Sequence, residues 1–199
     1  MRLTARVRLM SLGGVAGPLV FVGTWALAGA AVDGSSPVND AISDLAADGA
    51  STHAAMTAGF VVFGLGLIAF GLALRVALDR RAGIAGIATG ACTLGVAATP
   101  LGGWSGDSLH ATFAILGYFT IVALPLLAAT PFAERGRHGW MVAARLTAAG
   151  SALLLTASAF GPAHGLWQRL GLTVADAWVV ATALSLAGAV GPFSGEPRP

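Results

Sequence analysis

The 199-residue chain is 56% hydrophobic and only 10% charged, with a formal net charge of +2, whereas soluble domains carry about 25% charged residues. This balance excludes an ordinary soluble enzyme, and so small a charge spread over loops makes no basic face, so no nucleic-acid partner is expected. The single Cys92 lies in an apolar run, which rules out an internal disulfide.

Arg2, Arg6 and Arg8 precede an apolar run from Leu9 to Val32, long enough to cross a bilayer and long for the core of a cleaved signal peptide. The stretch Ser36 to Leu45 follows and is too polar to span. Ser36 can cap a helix starting at Pro37, with Val38, Ile42 and Leu45 at i, i+4, i+7 and Asn39, Asp40, Ser43 and Asp44 opposite. A short amphipathic helix is therefore expected there, ending near Gly49 and lying on the bundle as a lid. Further apolar runs cover His53 to Leu78, Gly83 to Leu101, Leu109 to Phe132, Met141 to Phe160 and Leu166 to Val190. The fold class expected is all-α: one integral membrane domain of six transmembrane helices over residues 1–190, with a short cytoplasmic tail at 191–199. Its Gly/Ala-rich helix faces suit close packing, within the bundle or in a homo-oligomer.

The charges sort by side. Six spans place Arg2, Arg6, Arg8, Arg75, Arg80, Arg81, Arg135, Arg137, Arg145 and Arg198 at one end and only Arg169 at the other. The positive-inside bias then puts both termini in the cytoplasm and the chain in the inner membrane. Asp33, Asp40, Asp44, Asp48 and Asp107, with His53, His110 and His164, gather at the opposite end, where Trp104 and Trp167 suit an interfacial belt.

That end holds the candidate chemistry. Asp107 and His110 are i, i+3; Arg169, Thr173 and Asp176 form an i, i+4, i+7 stripe down the last span. Asp176 falls about 10 Å deeper than Arg169 at 1.5 Å per residue. A carboxylate at that depth must be paired, kept protonated or turned to a cavity. Asp44, Asp107, His110 and Asp176 are the acid–base candidates, and Asp40, His53, Trp104, Trp167, Gln168 and Arg169 the substrate-binding ones. The plainer alternatives are that Arg169 pairs with Asp44 or Asp107 to pin the lid, that Asp107 caps a helix, and that His53 is an interfacial histidine. Three histidines with a carboxylate suit zinc in principle, but no HxxxH or HExxH pair is present, and no metal or other cofactor is expected.

These residues together resemble the bacterial six-helix membrane family catalogued as domain of unknown function 998. The resemblance rests on Gly14-Val15-Ala16-Gly17-Pro18, on Ser36-Pro37 with Ile42-Ser43-Asp44-Leu45, on Pro100 with Asp107 and His110, and on Gly165-Leu166-Trp167-Gln168-Arg169. Gly34-Ser35 replaces the tyrosine or glycine often found before Ser-Pro, and Ala114 stands where a second histidine is common, which weakens any metal reading. The resemblance implies a fold and a polar pattern without a reaction. The function expected is an integral membrane enzyme using carboxylates on a lipid-like or isoprenoid-like substrate, with Arg169 on an anionic head group. The alternatives are a protein that binds, senses or transports a small amphiphile, and a structural membrane subunit. The expected partner is accordingly a membrane lipid or an amphiphilic small molecule.

Overall fold

The computed structural model describes residues 3–188, so the 191–199 tail lies outside the described residues. The helices are α1 (Ala5–Ser11), α2 (Gly13–Ala31), α3 (His53–Ala77), α4 (Arg80–Ala98), α5 (Asp107–Glu134), α6 (His138–Phe160) and α7 (His164–Ala187), with no strand among the described residues. With α1 and α2 taken as one interrupted span, six helices among the described residues are long and apolar enough to cross a membrane. A helix satisfies its backbone within the segment, the condition a bilayer imposes, with the ladder interrupted at Pro18 in α2 and at Pro125 and Pro131 in α5.

The helices close into a ring in chain order, α2 against α3, α3 against α4 and so on to α6 against α7, with α7 returning to α2. Glycine sets the closest approach. A Cβ on Gly64 would lie 2.8 Å from the Gly90 carbonyl oxygen, and one on Gly71 would lie 2.7 Å from that of Gly83. The glycine faces of α3 and α4 are thus consumed inside the bundle, where van der Waals contact replaces the hydrophobic drive that lipid does not supply. Phe21 stacks on Phe63 with ring centroids 4.7 Å apart, joining α2 to α3 beneath the lid.

The lid departs from the amphipathic α-helix expected at Pro37. Residues 37–40 form a turn, and a short 3-10 helix follows at Ile42–Ala46. The reason lies in competing hydrogen bonds. The Asp40 carboxylate accepts from the Ser36 N–H at 2.6 Å, and the Asp44 carboxylate accepts from the Ala41 N–H at 2.8 Å. Short polar side chains bonding to nearby amides offer the backbone an alternative to the helix ladder. The carbonyls that a helix would have used are instead turned toward α7. Ile42 and Leu45 are buried as expected, whereas Val38 is 42% exposed. Gly49 has φ of +81°, so it closes a turn rather than a helix.

Candidate functional site: a polar clamp beneath the lid

The lid is held to the bundle mainly through its main chain. Arg169, 5% exposed, is the key piece. Its Nη1 donates to the carbonyls of Pro37 at 2.9 Å, Asp40 at 2.7 Å and, within its own helix, Gly165 at 3.1 Å. The guanidinium carbon lies 5.4 Å from the centroid of the Trp25 ring on α2, within cation–π range. The expected partners Asp44 and Asp107 are not the groups it bonds. A guanidinium has only donors, and this one spends its Nη1 on carbonyls, among them that of Asp40, whose peptide N–H (Ala41) is already held by the Asp44 carboxylate.

The neighbouring Gln168 bridges in the other direction. Its Oε1 accepts from the Ile42 N–H at 2.8 Å, which turns its Nε2 toward the Tyr118 hydroxyl at 2.5 Å. Two residues earlier, the Leu166 N–H donates to the Val38 carbonyl at 3.0 Å. Leu166, Gln168 and Arg169, near the start of α7, thus hold the lid at Pro37, Val38, Asp40 and Ile42. That end of α7 is set by Ala163, the one described non-glycine residue with positive φ, at +60°. Such a conformation costs an L-residue roughly 1–2 kcal/mol.

Two histidines hold the rest of the lid. The His53 Nδ1 lies 2.8 Å from the Ala46 carbonyl and 3.1 Å from that of Ala47, and Thr52 donates to the Leu45 carbonyl at 2.7 Å. His110, 4% exposed, has Nδ1 at 2.6 Å from the Thr99 carbonyl and Nε2 at 3.0 Å from the Ser43 hydroxyl. A carbonyl can only accept, so Nδ1 carries the proton, and in the neutral ring Nε2 accepts from Ser43.

The lid separates two spaces. Toward the core lies a cavity of about 50 Å³ lined by Phe21, Phe60, Phe63, Phe113, Ile121 and Leu172, with Ser43, Gln168 and Tyr118 among its polar atoms. On the other face Asp40 and Asp44 join Asp33 around an open hollow of about 270 Å³. Neighbouring residues of the 3-10 helix therefore serve opposite sides, Ser43 inward and Asp44 outward. Tyr118 also lines a third space, an apolar groove of about 380 Å³ between α5 and α6 with Phe119, Leu155 and Phe160.

The other predicted residues are dispersed. Asp107 is exposed at the start of α5 and accepts from the Gly102 N–H at 2.8 Å, apart from its sequence neighbour His110, which is buried. Trp104 is 83% exposed, and the Trp167 indole donates to the Pro162 carbonyl at 3.0 Å. Asp176, 2% exposed, lines neither space beside the lid, and neither carboxyl oxygen has a hydrogen-bond partner among the described residues. No group of three His, Cys, Asp or Glu side chains that could hold a metal ion occurs among the described residues.

Sequence reasoning passed over Ser43 and Tyr118. Tyr118 is the only tyrosine in the chain and lies at i+8 from His110, so helical spacing puts both on one face. The apolar spacing places Ser43 with Asp44 on the side of the lid opposite Ile42 and Leu45, whereas its hydroxyl meets the His110 ring and lines the inner cavity.

No curated protein and no solved structure gives a significant match to the chain. A family model does, over residues 15–185, which takes in the ring of helices, the lid and every clamp residue. The chain belongs to the family described as Protein of unknown function (DUF998).

Proposed function

We propose that this membrane-type protein binds a lipid-like amphiphile, which enters sideways from the bilayer through the α5–α6 groove and seats its chain beside the phenylalanine-lined cavity. The observation that supports this most is the position of Tyr118. It lines both the lipid-facing groove and the inner cavity, and its hydroxyl is tied to Gln168, which in turn holds the lid. A bound amphiphile that displaces the tyrosine is thereby coupled to the clamp. The cavity exceeds the space one water needs, and its apolar lining suits hydrocarbon better than water. The aspartates are committed to turns or lie apart from the cavity, so binding is favoured here over carboxylate catalysis.

Photocrosslinking with a diazirine-labelled phospholipid in bilayers tests the binding. Labelling is expected to concentrate on Ile115, Phe119 and Leu155, and to fall at least fivefold in an Ala114→Leu/Ala152→Trp variant that fills cavity and groove. Labels spread evenly over the exposed apolar faces would contradict it.

A second, catalytic reading is favoured by one specific arrangement. Ser43 Oγ, His110 Nε2 and the Thr99 carbonyl lie in sequence at 3.0 and 2.6 Å, the nucleophile, base and orienting group of covalent catalysis. In this reading Ser43 Oγ bonds to the carbonyl carbon of an ester as its proton passes to Nε2. The ester C–O bond breaks and the leaving alkoxide takes that proton, leaving an acyl-serine that water then cleaves to acid and free hydroxyl. Reaction with a fluorophosphonate probe is expected to label Ser43 covalently, to vanish in Ser43→Ala and to fall at least a hundredfold in His110→Gln. A folded wild-type protein that takes up no probe would rule this reading out.

A further inference from the structure

The opposite end of the bundle carries a site of a different kind. Arg6 on α1, Arg75 at the end of α3 and Arg80 at the start of α4 surround a hollow of about 500 Å³, floored by Val7, Met10, Leu72 and Val76. All three arginines are exposed, and their guanidinium groups bond to no other side chain or carbonyl among the described residues. Arg135 at the same end shows the contrast, since its guanidinium donates to the carbonyls of Pro131 at 3.0 Å and Leu78 at 2.8 Å and is structural. The nearest acid in sequence, Asp79, is occupied as the cap of α4, accepting from the N–H groups of Arg81 at 2.7 Å and Ala82 at 2.9 Å.

We infer that this hollow is a binding site for the head group of an anionic phospholipid. Guanidinium groups are suited to phosphate because their fixed fork matches two of its oxygens. The walls say which phosphate is meant. Leu72 and Val76 are 38% and 63% exposed along α3, continuing the arginine-ringed hollow onto an apolar helix face. A free phosphate would leave that face unused, whereas a phospholipid lays its acyl chain on it. Basic pockets between helices at a membrane surface recognise anionic head groups in this way. The site shares no residue with the lid, its cavity or the α5–α6 groove, so it stands or falls independently of the function proposed above.

The test is lipid binding by the purified full chain in neutral detergent, followed by native mass spectrometry. Phosphatidylglycerol is expected to bind at least tenfold more tightly than phosphatidylcholine, with the preference shrinking as salt is raised. An arginine near a membrane surface contributes about fivefold, so Arg6→Gln/Arg75→Gln/Arg80→Gln is expected to lose the preference. An Arg81→Gln/Arg145→Gln control, with charge removed at the same end outside the hollow, is expected to keep it. Equal binding of the two lipids by the wild type would overturn the site without recourse to any variant. So would an equal loss in the control, or displacement of phosphatidylglycerol by millimolar inorganic phosphate. If the triple glutamine variant does not fold, the wild-type lipid ratio decides, with the triple lysine variant, which keeps the charge, expected to retain the preference.

Discussion

Replacing Arg169 with methionine is expected to lower stability by about 2–4 kcal/mol and the melting temperature by on the order of 5–10 °C. The methionine keeps an unbranched apolar stem but removes the guanidinium over Trp25 and the donors that hold the Pro37 and Asp40 carbonyls. Those carbonyls then face α7 without partners, and leaving buried acceptors unpaired costs more than the bond itself is worth. Because both lie in the lid, the loss is expected to be local first: the segment from Pro37 to Ala46 separates from α7 before the helices come apart. Arg169→Lys is expected to recover only part of the loss, since an ammonium lacks the planar spread of donors. Circular dichroism melts in detergent read the stability. A melting temperature within 1–2 °C of wild type in Arg169→Met would contradict the assignment of Arg169 as the anchor.

Gly165→Ala is expected to be nearly as damaging, against the helix rule that favours alanine over glycine by about 1 kcal/mol. A Cβ at position 165 would fall on the Asp40 carbonyl oxygen and 2.8 Å from the Arg169 Nη1. The first obstacle is main chain, so the lid must be lifted off α7 for the methyl group to fit. A net destabilisation of about 1–3 kcal/mol is expected. Gly150→Ala supplies the comparison, because its Cβ would meet only a Val174 methyl at 3.9 Å; there alanine is expected to be neutral or stabilising. Equal melting temperatures for the two variants would mean that the lid does not lie as close to α7 as described.

The spans were legible because membrane burial demands long uninterrupted apolar runs, and His53 to Leu78 or Met141 to Phe160 admit no other reading. The gathering of Arg6, Arg75, Arg80 and Arg135 at one end of the bundle was legible for the same reason, since charged side chains collect where apolar runs stop. The clamp was half legible. Gln168, Arg169, His53 and His110 stood out as polar groups with no reason to be in an apolar chain, and all four hold the lid. What could not be read was the atom each one takes. Sequence arguments pair charge with charge, so Arg169 was matched with aspartates, whereas Asp40 and Asp44 spend their carboxylates on the amides of Ser36 and Ala41. The same substitution of local for helical bonds hid the 3-10 helix, because the apolar spacing of Val38, Ile42 and Leu45 is blind to what the backbone amides find. Asp176 shows the converse. Its depth was readable from spacing alone, yet its lack of any partner among the described residues is a property of the packed bundle.

Hydrogen–deuterium exchange across residues 36–48, in wild type and in Arg169→Met, tests most directly that a polar clamp docks the lid. In the wild type the Ile42 amide is bonded to Gln168 and the Asp40 amide to the Ser36 carbonyl, beneath a lid whose carbonyls are held by α7. Exchange over this segment is expected to be at least a hundredfold slower than for an unstructured peptide. In Arg169→Met it is expected to rise toward the unprotected rate, while the α3–α4 glycine interface stays protected. Wild-type exchange as fast as that of an open loop, or protection that survives the loss of Arg169, would contradict the clamp.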